Sequence, residues 1–285
     1  MTKRWLNELR ERFLHRPEAG PGPTSGDPWR GLGRTRLLDH LDVAQRGRLR
    51  GRIQEFLADK RIIGARGYEP TLLDRNRIAV QACLPILHLD LACYGRFVDI
   101  IVYPDAFIAP RSRLDDSGVI SEWEDVLSGE SMGSGPVVLS VPGLTPPLPG
   151  SRECLVVHEF THKLDEHFGL SDSPHAPGAS RPAVLARELG KVHADFVARV
   201  ERLERSMPAD LDPESVEADA WYADLPLDPY AATEPAECLA VSAEAFFCAD
   251  PRLSAEYPAF VEALTGFFGQ RPLTSCRQHR ELKYD

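Results

Sequence analysis

Residues 155–166 read LVVHEFTHKLDE, and His158, Glu159 and His162 within them form the pattern H-E-x-x-H. On a helix, positions i and i+4 share one face, so both imidazoles reach a single cation. Glu159 directly follows the first histidine and is placed to take a proton from water that such a cation activates. The flanks favour a helix: Leu155, Val156 and Val157 precede the motif, Phe160 and Leu164 continue an apolar face, and no proline interrupts. Ser151 predicts an N-cap for a helix running from about Arg152 to His167. Lys163 is unusual, because the residue after the second histidine of a zinc-peptidase helix is ordinarily uncharged.

A catalytic zinc takes a third protein ligand and keeps one position for water. Metzincin spacing requires Gly at 165 and His at 168, where this chain has Asp165 and Phe168, and His167 is out of step. Asp165 shares the face of His158 and His162; it can ligate, but its better role is to accept an N–H from a ligating imidazole. The remaining class of site draws a glutamate from a later helix. TEPAECLAVSAEAFF (233–247) places Glu237 and Glu244 seven residues apart on one face, among apolar residues where a carboxylate needs a partner.

The rest of the chain suits such a site. Apolar residues make up 43% and charged residues 27% of 285, ordinary for a globular protein. No apolar run is long enough to span a bilayer, and MTKRWLNELRERFLHRPEAG lacks the apolar core of a secretory signal. Six dispersed cysteines (Cys83, Cys93, Cys154, Cys238, Cys248, Cys276) contain no Cys-x-x-Cys pair and read as reduced thiols. A cytoplasmic location follows as an expectation. Residues 1–66 hold fifteen Lys/Arg against eight Asp/Glu, a net +7, so the chain's −10 leaves −17 on 67–285. The basic segment carries no nucleic-acid motif, and its arginines are expected to form a solvated face and pair with the acidic body. Trp5, Leu6, Leu9 and Phe13 share a helical face expected to pack on a domain.

RPEAGPGPTSGDPWRGLG (16–33) reads as a linker. Helices are expected over 37–60, 71–92, 183–206, 234–248 and 257–269, and strands at 96–104 and 136–143. This order gives an α+β fold, divided into a basic N-terminal helical segment with a Pro/Gly-rich linker (1–66) and a main domain (67–285).

RIAVQACLPIL, VYPDAF, LSGESMGSGPVVLS, VVHEFTHKLD and DPYAATEPAECLAVSAEAFF occur in that order over about residues 70–272. Together they resemble the Mlc titration factor A family of zinc-dependent peptidases. The resemblance implies a zincin-like metallopeptidase domain, mainly helical, with a small β-sheet beside the active-site helix. It implies a gluzincin-type site related to the catalytic domain of anthrax lethal factor. In that site His158, His162 and Glu237 would hold Zn2+, Glu159 would be the base, and Tyr230 would stabilise the oxyanion. Aminopeptidase-type activity on peptides, and binding of a sugar-responsive transcriptional repressor, are implied likewise. The chain departs from the family pattern at Cys238-Leu239, at Val141, and in the loop EHFGLSDSPHAPGASRP after HKLD.

The expected chemistry is hydrolysis of a peptide bond, with Glu159 passing a proton from water to the leaving amine. The strand at 136–141 is a candidate to hold an extended peptide by strand addition. The rival expectation is a regulatory binding protein that sequesters a repressor and has weak or vestigial peptidase activity. An intact Glu159 favours hydrolysis, since a purely structural metal site needs no base.

Overall fold

The computed structural model describes residues 28, 29, 32 and 35–272, apart from 106, 115–119, 128, 132–134, 149, 176, 209 and 214. The apolar stripe expected at Trp5 to Phe13, most of the 16–33 linker and Cys276 lie outside these residues.

Helix α1 (Val43–Asp59) starts at a capping box, in which Asp42 accepts from the Gln45 N–H while the Gln45 side chain accepts from the Asp42 N–H. Leu49, Ile53 and Phe56 form its buried face. Arg46 donates to the carbonyls of Leu41 and Leu38, and Arg52 to the carbonyl of Leu89 and to Glu55. Strand β1 (Arg61–Gly64) follows. Helix α2 (Leu72–Cys83) starts at a second capping box, formed by Thr71 and Asp74. The apolar periodicity over 71–92 predicts a longer helix, but Pro85 has no N–H to offer the Gln81 carbonyl, so turns replace it. A 3₁₀ turn, Leu91–Tyr94, then leads into β2 (Asp99–Tyr103).

Strands β3 (Phe107–Leu114) and β4 (Ile120–Leu127) pair as an antiparallel hairpin. Strands β5 (Gly129–Ser131) and β6 (Val137–Ser140) complete the main sheet, whose order is β1-β2-β6-β5. The first three run parallel and β5 runs antiparallel to β6. DIIVY and VVLS are nearly continuous apolar runs because the central strands of a parallel sheet are buried on both faces. The expected peptide-binding strand must be corrected here. Both edges of β6 are already paired, so it has no free edge to offer; the edge strands are β1 and β5, and β5 lies against the motif helix.

The helical half consists of α3 (Leu155–Phe168), α4 (Arg181–Ser206), the single turn α5 (Asp219–Tyr222), α6 (Pro235–Phe247), α7 (Pro251–Glu256) and α8 (Pro258–Phe268). Phe160 anchors α3 to the sheet side. Its ring centroid is 5.6 Å from Phe56, 4.9 Å from Tyr94 and 6.0 Å from Phe97. Truncating such a side chain to alanine costs about 3–5 kcal/mol. On the other side, Phe168 meets Phe267, while Phe246, Phe247 and Phe268 pack together and lock α6 to α8. The expected α+β fold, mainly helical with a small sheet beside the motif helix, is the fold observed. Residues 35–64 share its core: Leu37, Leu49, Ile53 and Phe56 are buried with the rest, and β1 pairs with β2.

Candidate metal centre

Helix α3 begins later than its local cap signal predicts. Arg152 reaches across to the carbonyls of Leu225 and Pro226 at 3.0 and 2.7 Å and to Asp250 at 2.7 Å. These contacts hold 151–154 out of the helix, and Cys154 becomes the N-cap. Ser151 instead accepts from the Glu153 N–H. Gly143 lets a neighbouring 3₁₀ turn approach the first helical turn, where a Cβ would stand 2.2 Å from a Leu155 methyl. Gly169, at φ 60°, ends the helix in the left-handed conformation.

One turn of α3 and the first turn of α6 bring the predicted ligands together. His158 Nε2 lies 3.1 Å from Glu237 Oε2 and 3.2 Å from His162 Nε2, and His162 Nε2 lies 3.4 Å from Glu237 Oε2. Among the described residues this is the group of His, Cys, Asp and Glu side chains spaced to share one ion. A tetrahedral cation with bonds of about 2.0–2.1 Å keeps its donors about 3.3 Å apart. The triangle of donors therefore has the size that such an ion demands.

Glu244 orients this triangle. Its Oε1 accepts from His158 Nδ1 at 2.8 Å, and its Oε2 accepts from the Cys154 N–H at the start of α3. With the Nδ1 proton given to Glu244, a neutral His158 turns a bare Nε2 lone pair toward Glu237 Oε2. That contact is repulsive unless a proton or a metal cation stands between the two. The sequence placed Glu237 and Glu244 on one face, but the partner of Glu244 was not legible. Asp165, expected to accept from a ligating imidazole, does something else. Its two oxygens accept from the Ser171 N–H at 2.8 Å and the Ser171 hydroxyl at 2.6 Å, which secures the loop after α3.

Glu159, next in sequence to His158, is buried on α3, and its charge acts on the His158 imidazole. Tyr230 sits on the 3₁₀ turn Pro229–Ala232, which Asp228 caps, and its ring lies 6.4 Å from the His158 ring, inclined by 27°. The residue remains 36% exposed.

The electrostatics match this geometry. Burial alone pushes the His158 imidazole down, but hydrogen bonds to Glu237 and Glu244 and the nearby carboxylate charges outweigh it and raise it to about 10. Burial likewise opposes ionisation of Glu237, yet hydrogen bonds from His158 and His162 hold its carboxyl well below the usual carboxylate range. Ligation uses the neutral imidazole, so a proton held between these side chains competes with a metal ion.

Comparison with known proteins shows relatives along most of the chain. The chain is 31% identical to Mlc titration factor A of Escherichia fergusonii over 250 residues, 88% of each chain. It is 33% identical to Mlc titration factor A of Klebsiella pneumoniae subsp. pneumoniae over 252 residues, 88% of this chain and 89% of the relative. The relative from Cronobacter sakazakii is 32% identical over 250 residues. The match to the family model extends further toward the N-terminus than the motifs at 70–272, and so takes in α1 and β1. With its model matching residues 23–269, the chain belongs to the glucose-regulated metallo-peptidase M90 family.

Proposed function

We propose that this protein is a zinc-dependent peptidase whose ligands are His158, His162 and Glu237 and whose general base is Glu159. The observation that carries this reading is the donor triangle, with sides of 3.1, 3.2 and 3.4 Å, built from α3 and α6, with a buried glutamate next in sequence to His158. Two neutral imidazoles and a carboxylate are the donor set that zinc takes in hydrolytic sites. When bound, zinc supplies Lewis-acid activation of water and of the scissile carbonyl.

The chain's own groups do the rest. Glu244 fixes His158 in the tautomer that leaves Nε2 free to ligate. Glu159 accepts the proton of the attacking water and delivers it to the leaving amine, which departs as a neutral amine. The Tyr230 hydroxyl donates to the oxyanion as the carbonyl carbon becomes tetrahedral. The open edge of β5 aligns the substrate backbone by strand addition. Aminopeptidase-type cleavage of peptides is the specificity proposed.

The relatives' name, Mlc titration factor A, favours a second role in which a surface of the same domain binds a transcriptional repressor. The two roles separate in one experiment. Protein stripped with a chelator and reloaded with zinc is assayed on a chromogenic aminoacyl anilide and on short peptides. Hydrolysis that disappears on stripping and returns with zinc supports the peptidase. Background rates in fully loaded protein leave the binding role alone.

A further inference from the structure

Lys163 directly follows His162, yet its side chain is only 1% exposed. A buried ammonium needs polar partners. Its Nζ donates to the Gly135 carbonyl at 3.1 Å, stands 3.6 Å from Glu166, and lies 5.1 Å from the centre of the Phe97 ring. Glu166 is 44% exposed, so water screens that ion pair. The Gly135 contact is different in kind. Gly135 lies in the connection between Ser131, the last residue of β5, and Val137, the first of β6. The hydrogen bond therefore joins the helix bearing the histidines to Gly135, two residues before β6 and on the stretch of chain that links β5 to β6.

Core stability alone does not explain an amine here. Lys60 already stands 4.1 Å over the same Phe97 ring and donates to the Phe97 carbonyl at 2.6 Å. Lys163 brings a second buried positive charge to that ring. A methionine fills the same space without like-charge repulsion or desolvation, and such replacements are often neutral or stabilising. What methionine cannot do is hold Gly135.

We infer that Lys163 is a positioning residue for substrate, tying α3 to the β5–β6 connection and so fixing the edge strand relative to the metal-ligand side chains. The inference rests on the peptidase reading, with β5 as the strand that aligns the peptide. β5 is three residues long and, among the described residues, pairs on one side only, with its face against α3. An edge fixed in advance leaves less to be ordered when substrate binds. Loss of the amine therefore weakens substrate binding more than it slows proton transfer.

The test is Lys163→Met in the full-length, zinc-loaded protein. KM for a peptide of several residues should rise about tenfold, the effect of one lost charge-assisted hydrogen bond, while kcat falls by less than about threefold. Zinc content should match wild type, and amide exchange at 129–131 and 137–139 should quicken by about tenfold. Lys163→Arg, which keeps a cationic donor, should recover most of the KM. Should Lys163→Met not fold, Lys163→Gln takes its place in the same measurements. An active wild type matched by the variant in KM and in exchange overturns the role of Lys163. A zinc-loaded wild type that cleaves no peptide overturns the peptidase reading and, with it, this role.

Discussion

Glu244→Gln exchanges a carboxylate oxygen for an amide NH2 without altering the length of the side chain. The native carboxylate accepts twice, from His158 Nδ1 at 2.8 Å and from the Cys154 N–H. An amide has one acceptor oxygen and cannot serve both. If its oxygen stays with His158, its NH2 faces the Cys154 N–H, donor against donor. If it flips, the NH2 donates to Nδ1, the imidazole proton moves to Nε2, and the lone pair needed for metal is lost. Both outcomes weaken zinc binding; losing an orienting partner of a ligating histidine typically lowers affinity by about 10–100-fold, or about 1.4–2.7 kcal/mol. Competition against a chelator of known affinity measures this at constant pH, with circular dichroism confirming that the variant is folded. A folded Glu244→Gln that binds zinc as tightly as wild type would refute the orienting role of Glu244.

Other substitutions test separate parts of the structure. Glu237→Ala should strip the metal under conditions where Asp165→Ala retains it, because Asp165 bonds to Ser171 and not to an imidazole; elemental analysis of both proteins decides the point. Removing residues 1–27 should leave zinc content and hydrolysis within about twofold of wild type, since every group proposed to hold metal, move a proton or align the peptide lies after residue 128, whereas Leu32→Ala should lower stability by about 2–5 kcal/mol because Leu32 is buried in the core. Asp250 supplies a pH test. Burial opposes its ionisation, but hydrogen bonds from Arg252 and the charge of Arg152 hold its carboxyl below the ordinary range. Its folded value is therefore the lower one, so its contribution is present above about pH 4 and is lost as pH falls through the folded value. Asp250→Asn should destabilise by about 1–3 kcal/mol at pH 7 and by progressively less in acid; denaturant titrations showing an equal loss at pH 7 and pH 3 would contradict this.

Much of the site was legible because helix geometry is local. The i, i+4 spacing of His158 and His162 and the seven-residue spacing of Glu237 and Glu244 each defined a face without any knowledge of the fold. The failures came where a contact distant in sequence overrode a local signal. Ser151 has the chemistry of an N-cap, but Arg152 is held by Leu225, Pro226 and Asp250, and the helix starts at Leu155. Asp165 had the right phase for an imidazole, yet a serine six residues on captured its carboxylate. β5 is too short for a period-2 pattern, so the pairing that makes β6 an interior strand could not be anticipated. The β3–β4 hairpin was also unforeseen. Glu244 carried no local mark of its partner; only the meeting of α3 with α6 reveals that it, and not Asp165, orients His158.

The most direct measurement of the central claim is hydrolysis by Glu159→Gln at zinc content equal to wild type. The substitution keeps the side-chain shape and leaves His158, His162 and Glu237 intact, so the metal should stay bound. General-base catalysis contributes about 10²–10⁴-fold, so the rate on a chromogenic aminoacyl substrate should fall at least about a hundredfold. Equal rates for the two zinc-loaded proteins would contradict the assignment of Glu159 as the base and of the chain as a peptidase.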